Sequence, residues 1–287
     1  MPLITPFAAD GSVALDALSR LSHEYLDAGA VGLVPLGTTG ETSALDAAEK
    51  EAVIAVTSAV ATERGAQLIV GAGTNSTRTT IAAVDAIGSN PAISATLIVV
   101  PYYVRPSEAG IIAHMRAVAD ASSLPVVLYN VGVRTGRHLG ASAVVELAAH
   151  PNIIGIKQAA TGLDLDTLTL LRDAPPDFAV LGGEDPFLFP AVLMGAKGAI
   201  CASAHVCTER FVAMIECGLA GKLDDGRAHA EALLPVVEAC FAEPNPAVFK
   251  GVLHAQGRIP TPDVRLPLLP ASAAAVDSAL GAIAAAG

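Results

Sequence analysis

Four side chains in this sequence could together do the chemistry of a carbonyl reaction: Lys157 at the end of Ile153-Ile154-Gly155-Ile156, Tyr129 at the end of Val126-Val127-Leu128, and the threonine pair Thr38-Thr39. A lysine drawn into an apolar, water-poor place loses hydration of its charge, which favours the free amine, and the free amine attacks a carbonyl to make a Schiff base. A tyrosine hydroxyl both donates and accepts, so it can pass a proton if other hydroxyls line up with it. Gly37-Thr38-Thr39-Gly40 ahead of a helix offers backbone N–H groups and two hydroxyls, a combination suited to a carboxylate. Arg134 can bind a second carboxylate through two parallel hydrogen bonds. Each residue alone has an ordinary explanation. A strand-end lysine often reaches to solvent, a tyrosine fills a core, a glycine-flanked loop is a turn, and a loop arginine is solvated.

The elements that must position these residues alternate regularly. Apolar runs end at Phe7, Leu36, Gly71, Pro101, Asn130, Lys157, Gly182 and Ala202, and each is followed by a helical pattern. The runs are Leu3–Phe7, Ala30–Leu36, Gln67–Gly71, Ala95–Pro101, Pro125–Asn130, Ile153–Lys157, Phe178–Gly182 and Gly198–Ala202. Eight βα units predict a closed (β/α)8 TIM barrel over residues 1–221, with residues 222–287 as two or three helices packed on it. Prolines 244, 246, 260, 262, 267 and 270 joint that C-terminal extension. The first run begins very near Met1, so either the first strand is abbreviated or the natural start lies upstream. Active sites of such barrels lie at the C-terminal ends of the strands. That rule selects Thr38 and Thr39, Tyr102 and Tyr103, Tyr129 with Arg134 beyond it, Lys157, and Gly182-Gly183-Glu184-Asp185. Amine, relay, carboxylate loop and arginine thus fall on one rim, which their separate ordinary explanations do not account for.

Composition narrows the class. Of 287 residues, 52% are hydrophobic but only 4% aromatic, with no Trp, so Ala, Val, Leu and Ile must build the core. A net charge of -11 argues against nucleic acid or an anionic membrane as partner. Cys201, Cys207, Cys217 and Cys240 form no CxxC pair, so reduced thiols and a cytoplasmic protein are expected. Cys201, His205 and Cys207 lack the second cluster that a metal site of that kind needs. No signal peptide or membrane-spanning run is expected.

The motifs resemble a known family. Gly37–Glu41 (GTTGE), Pro101–Tyr103 (PYY) with Arg105-Pro106, Tyr129–Gly136 (YNVGVRTG), Gly155–Lys157 (GIK) and Glu243–Pro246 (EPNP) are similar to the dihydrodipicolinate synthase/N-acetylneuraminate lyase family of class I pyruvate aldolases. The likeness runs from about Thr5 to Leu266-Pro267, and GTTGE with Arg134-Thr135-Gly136 is more like the synthase branch. The resemblance implies a lyase that condenses pyruvate with L-aspartate semialdehyde in lysine and diaminopimelate biosynthesis. Lys157 would form the Schiff base, Tyr129 would be the general acid/base, and Thr38 and Thr39 would hold the pyruvate carboxylate, with Thr39 also in the relay. Tyr103 would enter the neighbouring subunit's site, in a homotetramer built as a dimer of dimers. Arg134 would take the second substrate's carboxylate, and Gly183 and the Ile200 carbonyl would line the site. No metal or organic cofactor is implied. Departures from the family pattern are Gly132 for a usual Pro, Gln158 for a usual Glu and His205 for a frequent Asn. At the lysine feedback site of bacterial synthases, Asn75 and Tyr102 match, but Ala47, Lys50 and Thr79 replace its histidines and acidic residue. Weak or absent lysine inhibition follows. The alternatives are a related aldolase or dehydratase acting on another aldehyde or 2-keto sugar acid, and a non-catalytic relative that binds a keto acid.

Overall fold

Seven parallel strands in sequential order, alternating with helices, form the framework described for residues 1–287 by a computed structural model. They are β1 (Gly32–Leu33), β2 (Gln67–Gly71), β3 (Ala95–Val99), β4 (Val126–Asn130), β5 (Ile153–Gln158), β6 (Ala179–Gly182) and β7 (Gly198–Ala199). This is the order of a TIM-type (β/α)8 barrel. The expected first strand survives only as a parallel bridge, Pro2 to Val34, with Leu3 N–H donating to the Val34 carbonyl at 3.1 Å. The run expected over Ala30–Leu36 keeps just two strand residues. Pro35 has no N–H to give a ladder and Leu36 turns left-handed (φ 58°), so pairing ends there.

The chain divides into two compact units, Met1–Leu68 with Cys201–Gly287, and Ile69–Ile200. In the first, helix Leu15–Asp27 packs on helix Ala47–Arg64, and helix Leu223–Cys240 packs on Thr208–Leu219 and on Ala273–Ala286. The core of the C-terminal helices, including Ala247–Ala255, joins Val236, Cys240, Val248, Phe249, Val252 and Ala279. Gly251 permits the close approach of helices 247–255 and 273–286, since a Cβ there would stand 2.5 Å from Val276 Cγ2.

In the second unit, β3 to β5 are near-continuous apolar runs, as strands buried on both faces must be. Ile98, Val126, Leu128, Ile153 and Ile156 pack against Ile111, Met115, Val144 and Leu147 from the helices. The helix starts follow from sequence. Asp46, Ser76, Ser107, Asp164 and Ser272 each accept a hydrogen bond from the backbone N–H three residues on.

Candidate active site

Strand register sets the two central residues side by side. Tyr129 of β4 is paired with Lys157 of β5, and Lys157 with Leu181 of β6. Because side chains alternate along a strand, Ile156 enters the helix-facing core and Lys157 points to the other face. The lysine is buried (8% exposed), and its Nζ lies 4.5 Å from the centroid of the Tyr129 ring. Its carbon stem needs Gly183: a Cβ on that residue would come 2.9 Å from Lys157 Cγ and 3.0 Å from Cε. Gly183 is fixed by its N–H donating to the Gln158 carbonyl at 2.8 Å, and Ile200 N–H donates to the Gly182 carbonyl at 2.8 Å.

Behind these strand ends is a buried amide network. Asn130 Nδ2 donates to the Leu139 carbonyl and to Gln158 Oε1, both at 3.0 Å, and its Oδ1 accepts from Leu139 N–H at 3.0 Å. Gln158 Nε2 in turn donates to Thr167 Oγ1 at 3.2 Å. An amide at 158 has both the acceptor that Asn130 needs and a donor for Thr167. A carboxylate would supply only acceptors. The adjacency of Asn130 to Tyr129 and of Gln158 to Lys157 was the available signal for this support.

Two charged groups belong to the same unit. Arg134 is exposed in the short helix Gly132–Thr135, which Gly136 (φ 70°) closes and Thr135 Oγ1 ties to the Val131 carbonyl at 3.2 Å. Burial pushes the Glu184 carboxyl above its ordinary range, and Asp185 beside it adds to this. The Arg134 and Lys157 charges pull it back. The structure thus brings Lys157 against both Tyr129 and Gly183 and sets Glu184 in the field of Lys157 and Arg134. Tyr103 is not among them. It stands 86% exposed with a left-handed backbone (φ 70°), and Arg105 is left-handed too (φ 46°). Non-glycine residues rarely hold that conformation without cost.

In the first unit, Thr38 and Thr39 occupy a 3₁₀ turn, Thr38–Gly40, that follows β1. Thr39 is buried, and its Oγ1 accepts a hydrogen bond from Asn245 Nδ2 at 3.1 Å. That bond leaves the threonine's own proton available to donate. Thr5 Oγ1 donates to the Gly40 carbonyl at 2.7 Å, and Glu41 forms a buried ion pair with Lys250.

His205 is a core residue. Its Nε2 accepts from Ile4 N–H at 3.1 Å, its Nδ1 is 2.7 Å from the Ala202 carbonyl, and Tyr25 packs edge-on against its ring. Burial lowers its pKa to about 3. With both nitrogens engaged by backbone, it has none left for a metal. All four cysteines are free thiols, and no cluster of three or more His, Cys, Asp or Glu is arranged to hold a metal ion. No helix is long and apolar enough to cross a membrane.

Comparison with known proteins gives concordant results. The model of the dihydrodipicolinate synthetase family matches residues 1–286. A 4-hydroxy-tetrahydrodipicolinate synthase of Stenotrophomonas maltophilia is 41% identical over 292 aligned positions, covering 99% of this chain and 95% of its own. The crystal structure of a chloride-inhibited dihydrodipicolinate synthase from Acinetobacter baumannii, complexed with pyruvate, superposes with a TM-score of 0.95 at 33% identity. The match covers 100% of this chain and 97% of the other. A monomeric dihydrodipicolinate synthase variant gives the same TM-score at 30% identity, covering 100% and 95%.

Proposed function

Because the chain belongs to the dihydrodipicolinate synthetase family, we propose that it is a class I lyase condensing pyruvate with L-aspartate 4-semialdehyde to 4-hydroxy-tetrahydrodipicolinate. The observation that carries this reading is the buried Lys157 amine over the Tyr129 ring at the C-terminal ends of adjacent parallel strands.

The Lys157 amine adds to C2 of pyruvate, and loss of water from the carbinolamine gives the imine. Loss of a C3 proton converts the imine to an enamine, whose C3 attacks the aldehyde carbon of the semialdehyde. The amino group of that substrate then attacks C2, closes the six-membered ring and displaces Lys157. One water is released overall and no redox change occurs. Tyr129 is the acid/base that shuttles protons through the carbinolamine, and Thr39 is its relay partner; the support is the Tyr129–Lys157 contact and the orienting bond from Asn245. Thr38 and Thr39 hold the pyruvate carboxylate, a role supported by the hydroxyl pair beside backbone N–H groups. Gly183 gives the lysine stem its room, and the Ile200 carbonyl lines the site. Arg134, exposed and close enough to act on Glu184, takes the carboxylate of the semialdehyde.

Tyr103 serves the site of a neighbouring subunit in a homotetramer assembled as a dimer of dimers. Its exposure, and that of Val104 and Val133, is what an unpartnered contact surface would have. The enzyme works in the cytoplasm and needs no cofactor, the lysine imine being the electron sink. Steady-state turnover with pyruvate and aspartate semialdehyde tests the reading. Efficient product formation is expected. An imine with pyruvate but no turnover with that aldehyde would refute the substrate assignment.

A further inference from the structure

The Glu41–Lys250 ion pair is closed off from solvent on both sides, at 2% and 0% exposed, and no step above uses it. Lys250 Nζ donates to Glu41 Oε1 at 2.6 Å and to the Asp263 carbonyl at 2.7 Å, and it lies 3.9 Å over the Phe7 ring. The other carboxylate oxygen accepts Arg265 N–H at 2.8 Å. One side chain is thereby tied to helix 247–255 and to segment 263–265. Stability is a poor explanation for such a pair, since the attraction of two buried charges roughly offsets the hydration they give up. Position is a better one. Glu41 directly follows the Thr38–Gly40 turn and is left-handed (φ 52°, ψ 35°), a conformation that a residue with a Cβ adopts only when held. In that conformation its N–H closes onto the Thr38 carbonyl at 3.1 Å, and its carbonyl accepts from Ala44 at 2.8 Å. The same stretch of chain grips the turn twice, Asn245 on the Thr39 hydroxyl and Lys250 on the Glu41 carboxylate.

We infer that Glu41 and Lys250 are positioning residues for the reaction: their ion pair holds residue 41 left-handed and so fixes the turn that presents Thr38 and Thr39. The inference rests on the roles assigned to those threonines above. Replacing one partner strands a buried charge, so the test removes both, as Glu41→Gln/Lys250→Met. Its companion is Glu41→Gly/Lys250→Met, in which glycine takes the left-handed turn without a tether. Thr39→Val is measured alongside. Thermal unfolding establishes folding, and borohydride trapping at saturating pyruvate reports the imine on Lys157.

The Gln/Met variant is expected to trap pyruvate, with KM for pyruvate raised and kcat lowered at least tenfold. The Gly/Met variant is expected to recover most of both losses, a rescue that a general packing defect would not show. Wild-type kinetics in the folded Gln/Met variant would overturn the inference. So would a Gly/Met variant no better than Gln/Met. Should Gln/Met not fold, Gly/Met decides alone: near wild-type kcat and KM support the inference, and a tenfold loss overturns it. Wild-type turnover in Thr39→Val would bring down the role given to Thr39, and the inference with it, whereas an impaired Thr39→Val beside an unimpaired Gln/Met would overturn the inference alone.

Discussion

Gly183→Ala probes the proposed Schiff-base residue, Lys157, without replacing it. The added methyl would lie 2.9 Å from Lys157 Cγ, 3.0 Å from its Cε and 3.1 Å from Ala159 Cβ. Carbon atoms rest at about 3.5–4.0 Å, so the lysine stem must retreat by roughly 0.6 Å or more. Gly183 does not have a left-handed backbone, so alanine brings no conformational strain and the effect is steric alone. Overpacking of this kind costs about 1–3 kcal/mol of stability, and a shift near 1 Å at a reacting group costs about a hundredfold in rate. The expected result is a folded protein whose kcat/KM falls some 30- to 100-fold and whose imine with pyruvate forms more slowly under borohydride. Stopped-flow trapping beside steady-state turnover measures both. Wild-type kcat/KM in the folded variant would refute the argument that Gly183 makes room for Lys157.

Other consequences are as specific. Arg134→Ala would remove the charged hydrogen bonds proposed for the semialdehyde carboxylate, worth about 1.5–3 kcal/mol, so kcat/KM for aspartate semialdehyde should fall roughly 10- to 150-fold. Imine formation with pyruvate should be unchanged, and a parallel fall in both would misplace the residue. His205 titrates at about 3 in the fold against 6.5 in an unstructured chain, so the unfolded state binds more protons between these values. Stability is therefore fully present above pH 6.5 and declines as pH falls below it, by about 1.4 kcal/mol per unit. His114, whose pKa burial also lowers, acts in the same direction. The diagnostic is thus the difference between wild type and His205→Asn in denaturant titrations from pH 7.5 to 5; identical slopes would contradict the account. Lysine should inhibit weakly or not at all, given Ala47, Lys50 and Thr79. Saturable loss of activity at low-millimolar lysine would contradict that.

Much of this protein can be read along its chain, and the exceptions share a cause. β2 lies at Gln67–Gly71, where alternation and apolar runs locate it, and β4 and β5 differ from their expected ends by one residue. The side-by-side placement of Lys157 and Tyr129 is legible because a strand end is a local signal and the barrel rule turns it into a location. The first strand and β1 shrank because Pro35 and the left-handed Leu36 interrupt a ladder that hydropathy alone extends through them. Glu41 meets Lys250 across 209 positions and Asn245 meets Thr39 across 206, so no periodicity announces either pair. His205 had the opposite fate. Beside two cysteines it offers ligand chemistry in sequence, but in space both ring nitrogens are taken by backbone from Ile4 and Ala202.

We propose that one amine, Lys157, carries the reaction. Incubation with pyruvate and borohydride, followed by peptide mapping, tests it directly. A single reduced pyruvate is expected on the peptide containing Lys157, absent from Lys157→Met, with Lys50, Lys197, Lys222 and Lys250 unmodified. An adduct on any of those lysines, or none on the folded wild-type protein, would contradict it.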